Sequence, residues 1–593
     1  MRSRVDRVRW LVLTVAFALL LSLPHLVTAA TVVNPLCSGE DVTFNPGNGE
    51  DIVVPPGFKV SVFVTGLNAP TAVAFRGSAK KFEVFVLESG HGLPSICNDE
   101  VAFQTAHPSA PNPFTPDILV FDQSGRKIAG PLGKPTDATT VTGGTGVFQP
   151  HGPAIDIAFE RGFQGGRLFA SDSNQSLRTS GNNNSSRIVT VNPETGRVTP
   201  FITGLPTGDH PAEQITFKDD HIYWSQGSTT NSGVVGRDNG GGANQQDIPC
   251  QDIKLSDNVF DSGGGVKTSG YSPFGVQRKG ATVRAFDSAT GPGICDGAIL
   301  RARLDAKHPK DTIEPFSWGY RNPYGIRFAP DDHPLRGGLF VTENGEDERG
   351  ARPTENAPDR LHLARQNHDG SPDYHGWPDR FGFLDSTQAV FNPTGGPGDD
   401  LCNPPAMPVF NAAACRAAIT AADVPVRRVL DHPPQPITAP LALEPADVAI
   451  VGVDFVPDSF VHGPVKRGAA LAGREGDFGF AAANGNPEEG HDIQLINFKE
   501  PLQLQLQRFA FNTTFEQAFV SGARGINRPV DLKFGPDDCA YLVDYGAVRD
   551  FGQSDPDSRF KVAADAPLVQ FPGTGVIWKI CRVAGGREGG GVD

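Results

Sequence analysis

Trp318-Gly319-Tyr320-Arg321-Asn322-Pro323-Tyr324-Gly325-Ile326-Arg327-Phe328 leads shortly into Gly338-Leu339-Phe340-Val341-Thr342-Glu343-Asn344-Gly345. The two stretches read as a pair of strands, Gly325 to Phe328 and then Gly338 to Thr342. The second ends in an acidic loop punctuated by glycine. Pro323 holds an Arg-Asn pair at the head of the first. An Arg and an Asn at the mouth of a strand bind an anionic ligand through charge-assisted hydrogen bonds, or the Arg simply braces a loop. On this stretch alone the two readings weigh equally.

The same pattern recurs along the chain: a polar residue or turn, an alternating strand ending in Phe, a turn, then a second strand ending in small or polar residues. The other copies open at Pro70, His151, His210, Val451 and Arg528, and end their first strands at Phe75, Phe159, Phe217, Phe455 and Phe534. Their second strands are read at Phe82–Leu87, Gly166–Ser171, His221–Ser225, Gly468–Gly473 and Cys539–Val543. Ile188–Val191 and Ala298–Leu304 read as outer strands, and Thr574–Cys581 as a final strand that helps close a ring. Repeated four-stranded units predict an all-β chain, a six-bladed β-propeller. Long Gly-, Asn-, Asp- and Pro-rich segments near 229–295 and 346–444 read as loop insertions on a binding face.

The ends of the chain are read separately. Arg2, Arg4, Arg7 and Arg9, the apolar run Trp10 to Leu23, and Val27-Thr28-Ala29-Ala30 have the form of a cleaved signal peptide over 1–30. The apolar run is short for a stable membrane span. An extension over 31–56, the propeller over 57–582 and a Gly-rich disordered tail over 583–593 follow. Cleavage removes four Arg and one Asp and takes the formal charge from −15 to −18. So acidic a protein is a poor ligand for nucleic acid. Eight cysteines, an even number in an exported chain, predict disulfides, with Cys402–Cys415 and Cys539–Cys581 as the expected local pairs.

In a propeller the residues just before the inner strands converge on one end of the central channel. Here these are His151, His210, Arg321, Asn322 and Arg528, with Arg474 just after a second strand. Cationic side chains converging in an acidic protein predict an anion pocket with a titratable base, because Arg holds carboxylates bidentately and neutral His accepts a proton near pH 7. The loop from Glu343 to Glu348, with Asp359 beyond, offers oxygens to a hard cation, against the plain alternative of a solvated acidic loop. No His-Glu-x-x-His occurs, so a zinc hydrolase is not indicated. Asn-x-Ser/Thr sequons, among them Asn174, Asn184 and Asn512, carry no functional reading by themselves.

Several motifs resemble the soluble pyrroloquinoline-quinone-dependent glucose/sorbosone dehydrogenases, which are six-bladed quinoprotein propellers. They are Gly319-Tyr320-Arg321-Asn322-Pro323-Tyr324-Gly325 with Tyr374-His375-Gly376-Trp377-Pro378, then Gly208-Asp209-His210 with Tyr223-Trp224-Ser225-Gln226-Gly227-Ser228, and Arg528-Pro529-Val530-Asp531 with Phe534-Gly535-Pro536-Asp537. The resemblance implies catalytic roles for His210 as general base, Asp209 as its neighbour and Arg321 against charge at the quinone. It implies cofactor contacts from His151, Arg321, Asn322, Arg474 and Arg528, and calcium at Gly345, Glu346 and Asp359. It implies a sugar substrate oxidised at C1, pyrroloquinoline quinone and calcium as cofactors, and an external electron acceptor such as a cytochrome or soluble quinone. It also implies a secreted or periplasmic location. This chain departs from the family in having His151 for a Gln, Val530 for an Arg, and an insertion from Arg349 to Pro358. The competing readings are a non-catalytic propeller that binds a partner, and a calcium lactonase, which needs a Glu/Asn/Asp cage that these positions lack.

Overall fold

Alternating apolar residues that end in Phe leave each strand pair with two faces to bury, and among the described residues the chain answers with six larger sheets of four or five strands, antiparallel but for one added strand. The computed structural model describes residues 29–583 except 91–94, 136–137, 139–145, 175–184, 237–245, 264, 287–292, 348–349, 355–356, 387, 392–423, 447, 477–489, 501, 515–517, 519–522 and 551–567. Unit one is Pro70–Ser78, Lys81–Glu88, Asp117–Asp122 and Lys127–Leu132. Unit two is Ala154–Phe159, Leu168–Asp172, Ser186–Val191 and Val198–Leu205. Unit three is Ala212–Lys218, His221–Gln226, Ala298–Arg303 and Glu314–Trp318, with Asp373–Tyr374 added in parallel. Unit four is Asn322–Phe328, Leu339–Asn344, Arg360–Ala364 and Ala442–Leu443. Unit five is Ile450–Phe455, Ala470–Arg474, Asp492–Glu500 and Gln503–Asn512, edged by Ile52–Val53. Unit six is Pro529–Phe534, Ala540–Asp544, Gly575–Arg582 and Phe58–Leu67.

The first strand of each unit packs against the first strand of the next, and that of unit six packs against that of unit one. Between neighbouring sheets lie apolar layers. One joins units one and two through Phe85, Ile118, Ile157 and Leu168, and another joins units five and six through Leu471, Leu495, Leu532 and Trp578. These side chains are fully buried, and each such residue contributes about 1.5–3 kcal/mol by leaving water. The recurrent Phe residues at the strand ends are the visible sequence trace of these layers.

Two features were not legible in the strand pattern. The segment read as an insertion over 346–444 carries the third and fourth strands of unit four. The outermost strand of unit six is Phe58–Leu67, from the opposite end of the chain, paired along its length with Gly575–Arg582. An outer strand borrowed from far away in sequence has no local signature.

Each first strand also has an irregular register near its start. The pairing shifts at Pro70/Ala72, between Ala154 and Ile157, at Ala212/Ile215, Asn322/Gly325, Ile450/Val453 and Pro529/Asp531. Such bulges re-aim side chains and release backbone groups from the ladder. The repeat therefore builds the same kink at the same end of every unit, the end that carries the predicted site residues.

Disulfides join Cys37–Cys97, Cys250–Cys295 and Cys539–Cys581. The last is the expected local pair, and Cys402 and Cys415 lie outside the described residues. Among the described residues no helix is long and apolar enough to cross a membrane. Residues 1–28, most of the expected signal peptide, and 584–593 of the tail lie outside the description. Cys539–Cys581 closes a 42-residue separation beside the terminal strand pairing. Replacing both cysteines by Ser should lower unfolding stability by about 2–4 kcal/mol, read from the denaturant midpoint, and an unchanged midpoint would show that the strand pairing alone closes the ring.

Candidate functional site

At the bulged end, Arg321 stands just before the first strand of unit four and is buried. Its backbone amide donates to Glu343 Oε1 at 2.6 Å, and its carbonyl accepts the Ser228 amide at 2.8 Å. Its guanidinium reaches Asp347 at 2.5 Å and Asp209 at 3.7 Å, while the buried Nε has no hydrogen-bond partner. Backbone and side chain are thus held from different sides, and one donor remains directed at the interior.

His210 comes from the loop before unit three. Its Nε2 lies 3.5 Å from Asp209 and its Nδ1 3.6 Å from Glu213. The Asn322 amide is satisfied with its nitrogen toward Glu213, at 2.7 and 3.0 Å, and its oxygen 3.3 Å from His210 Nδ1. In the opposite orientation the amide nitrogen donates instead to Asn344 Oδ1 at 2.9 Å. His210, Asp209, Arg321 and Asn322, distant in sequence, are therefore one contact group. Close backbone approach makes this possible: a Cβ on Gly227 would sit 2.1 Å from the His210 Cβ, and one on Gly208 2.2 Å from the Thr229 Cα.

The other predicted residues lie at the same end in different surroundings. His151 pairs through Nδ1 with Glu100, from the helix Glu100–Ala106, and its buried Nε2 has no hydrogen-bond partner. Arg528 is buried before the first strand of unit six, its amide bonded to Asp544 at 2.8 Å and its Nη1 4.0 Å from Glu475. Arg474 is the last residue of its strand, not beyond it. Its guanidinium is bidentate on Asp492 of unit five at 2.7 and 2.6 Å and meets Glu444, just after the last strand of unit four, at 3.1 Å, so its charge is engaged by both. Glu346 is buried against Arg360 at 2.5 Å. Asp359 accepts the Gly345 amide at 2.6 Å, and burial pushes its carboxyl up to about 7.

Sequence reasoning found the cations and missed the carboxylates that accompany them: Glu100, Glu213, Asp347, Glu475, Glu444 and Asp492. Glu213 was legible, three residues past His210. Glu100 sits outside the repeat and carried no signal. Charges taken from water need such partners, which is why a cation cluster in this fold is also an anion cluster. Glu213 is extreme: burial, aided by Asp209 and opposed by Arg321, raises its carboxyl well above the ordinary range.

A cavity of about 380 Å³ opens at the opposite end, lined by Phe75, Phe159, Phe217 and Phe534. Between the two ends Lys533 bonds Asp156 at 2.5 Å and Ile157 O at 3.2 Å, and Gln214 bonds Asp531 at 2.8 Å. The Lys533 ammonium is engaged there, whereas the titratable groups cluster at the His210 end. Among the described residues no group of three His, Cys, Asp or Glu side chains is arranged to hold a metal. With Glu346 tied to Arg360 and Asp359 to Gly345, the side chains do not fit a calcium cage. The unpartnered Arg321 Nε and His151 Nε2 do fit an anionic, hydrogen-bonding cofactor.

No family model matches this chain, and no curated protein matches it. Among solved structures it is similar to the calcium structure of a Trichoderma reesei protein of Carbohydrate-Active Enzymes family AA12, at 13% identity over 91% of this chain and 98% of the other, with a TM-score of 0.46. It is also similar to the holo form of the pyranose dehydrogenase PQQ domain from Coprinopsis cinerea, at 13% identity over 90% of this chain and 97% of the other, with a TM-score of 0.43.

Two outcomes test the site. Glu213 has a folded value above its unfolded one, so its stabilising contribution is full below the unfolded value of about 4.3 and is lost as pH rises. Glu213→Gln should therefore flatten the fall of the melting temperature between pH 5 and 8, and an identical pH profile would contradict a raised Glu213 carboxyl. Gly227→Ala should displace His210, visible as a changed His210 ring resonance with the fold retained.

Proposed function

We propose that this chain is a six-bladed β-propeller quinoprotein, an exported dehydrogenase that oxidises an aldose or sorbosone-like sugar at C1 with pyrroloquinoline quinone as cofactor. The observation that carries the reading is the contact group at the bulged strand starts: His210 on Asn322, beside Arg321 and Asp209. Arg321 and Arg528 would hold the cofactor's anionic groups, with Asn322 and His151 as hydrogen-bonding neighbours. Arg474 remains a candidate contact only if it exchanges Asp492 or Glu444 for the cofactor. When bound, the quinone supplies a two-electron acceptor that no side chain here provides.

The remaining chemistry belongs to the chain. Donation from His210 Nδ1 to the Asn322 oxygen fixes the tautomer and leaves Nε2 as the proton acceptor for a sugar hydroxyl. Asp209, 3.5 Å from Nε2, stabilises the imidazolium that forms. Burial favours the protonated form of Glu213, which sets no second negative charge beside Nδ1. The Arg321 guanidinium, held by Asp347 and Asp209, is preorganised against developing negative charge. A calcium ion carried with the cofactor would rest on the Gly345 and Glu346 backbone carbonyls, and no step is assigned to it. Electrons would pass to an external acceptor, a cytochrome or soluble quinone.

The rival reading is a binding propeller without catalysis. It is favoured by the pairing of the site cations with the protein's own carboxylates, which suffices for a purely structural role. Reconstitution separates the two. With pyrroloquinoline quinone and calcium added, a sugar panel should reduce an artificial dye. His210→Gln should lower kcat by about 10²–10⁴ with cofactor affinity retained, and Arg321→Lys should weaken cofactor binding. Absence of both cofactor binding and dye reduction in the wild type leaves the binding module.

A further inference from the structure

The cavity at the end of the ring away from His210 has no part in the chemistry above, and the repeat itself builds it. The first strand of every unit ends in Phe, and the residue before that Phe lines the cavity in all six units: Ala74, Ala158, Thr216, Arg327, Asp454 and Lys533. Side chains alternate along a strand, so these residues share one face of their strands. Units one to three contribute small uncharged residues, and units four to six contribute charged ones. The rings of Phe75, Phe159 and Phe217 stand beside the small residues. Phe163, exposed on the turn Gly162–Gln164, also lines the cavity and meets Phe75 edge-on at 6.2 Å between centroids. One half of the wall is thus apolar and aromatic, and the other is charged.

The charges of the wall are not equally spent. Asp454 accepts the Phe455 amide on Oδ1 and the Phe534 amide on Oδ2, each at 2.9 Å. Glu160 accepts the Arg167 amide at 3.0 Å and Arg167 Nε at 2.8 Å. Lys533 is held on Asp156 and the Ile157 carbonyl, in the layer between this cavity and the His210 end. Arg327 differs. Its Nε lies 3.2 Å from Asp454 Oδ1 and donates to the Val453 carbonyl at 3.5 Å, and its side chain is part-exposed. Neither of its terminal nitrogens has a hydrogen-bond partner among the described residues.

This inventory selects the ligand. Both carboxylates of the wall have each oxygen engaged, so a cationic ligand finds no free acceptor. The terminal edge of a guanidinium takes a carboxylate bidentately. Phenyl rings receive another aromatic ring edge-on or offset. A volume of about 380 Å³ suits a small organic molecule. We propose that this cavity is a second small-molecule site that takes an aromatic carboxylate, its ring against Phe163 and Phe217 and its carboxylate on the terminal nitrogens of Arg327. Neither His210 nor Arg321 enters it, so it stands apart from the proposed function.

The test titrates 2-naphthoate into the full chain by calorimetry. One saturable site is expected, and 2-naphthamide, which keeps the rings and lacks the charge, should bind about tenfold more weakly or worse. Arg327→Gln should weaken 2-naphthoate by about tenfold or more and leave 2-naphthamide within about twofold. Phe163→Ala, at an exposed position, should weaken both ligands by about threefold or more. Ala158→Leu fills the cavity and should abolish the binding of both, with the melting temperature retained. Arg321→Lys and His210→Gln, at the other end, should leave 2-naphthoate affinity unchanged. Absence of saturable binding, equal affinity for acid and amide, or an unchanged affinity in Arg327→Gln overturns the site. Loss of binding in Arg321→Lys places the anion at the His210 end and overturns it too. Should Arg327→Gln fail to fold, the acid–amide comparison in the wild type and Ala158→Leu decide.

Discussion

The pairing of Phe58–Leu67 with Gly575–Arg582 is the interaction on which the arrangement depends. Without it unit six lacks its outer strand. The apolar layer between units six and one would then have to hold the two ends of the chain without a backbone ladder. Every other neighbouring pair of sheets is joined by continuous backbone as well as by an apolar layer. Closure here is non-local, and its entropic cost is met by a long antiparallel ladder and by Cys539–Cys581 beside it. With the sheets so arranged, six similar bulges face one end, and residues far apart in sequence become neighbours.

A second constraint follows from that convergence. Strand starts packed into one end are buried, and buried charge is tolerated only when paired. The molecule meets this with a carboxylate for each cation: Glu100 for His151, Asp209 and Asp347 for Arg321, Asp492 for Arg474, Glu475 beside Arg528. The pairings differ in completeness. Arg474 is held bidentately and is spent on structure, whereas Arg321 retains a donor and His151 an acceptor or donor without a partner. Residues alike in sequence position therefore divide into those that support the end of the ring and those able to receive a ligand.

The network behind Arg321 carries the same logic outward. Glu343 holds the Arg321 amide, Arg360 and His362 hold Glu343, and His375 and Asp373 complete the line. These residues come from the second and third strands of unit four and from the strand added to unit three.

The repeat was legible in the sequence because alternation and a terminal Phe are local properties, written within about ten residues each. That His151, His210, Arg321, Asn322 and Arg528 share one end of the sheets was legible for the same reason: they occupy equivalent points of the repeat, and a repeat places equivalent points together. Tertiary structure alone decided the rest. The carboxylate partners, the engagement of Arg474, the ties on Glu346 and Asp359, and the strand borrowed from the other end of the chain all join residues separated by long stretches of chain. No local preference specifies such partners. They are selected by the requirement that buried charges and open sheet edges be satisfied, and that requirement exists only once the sheets have packed.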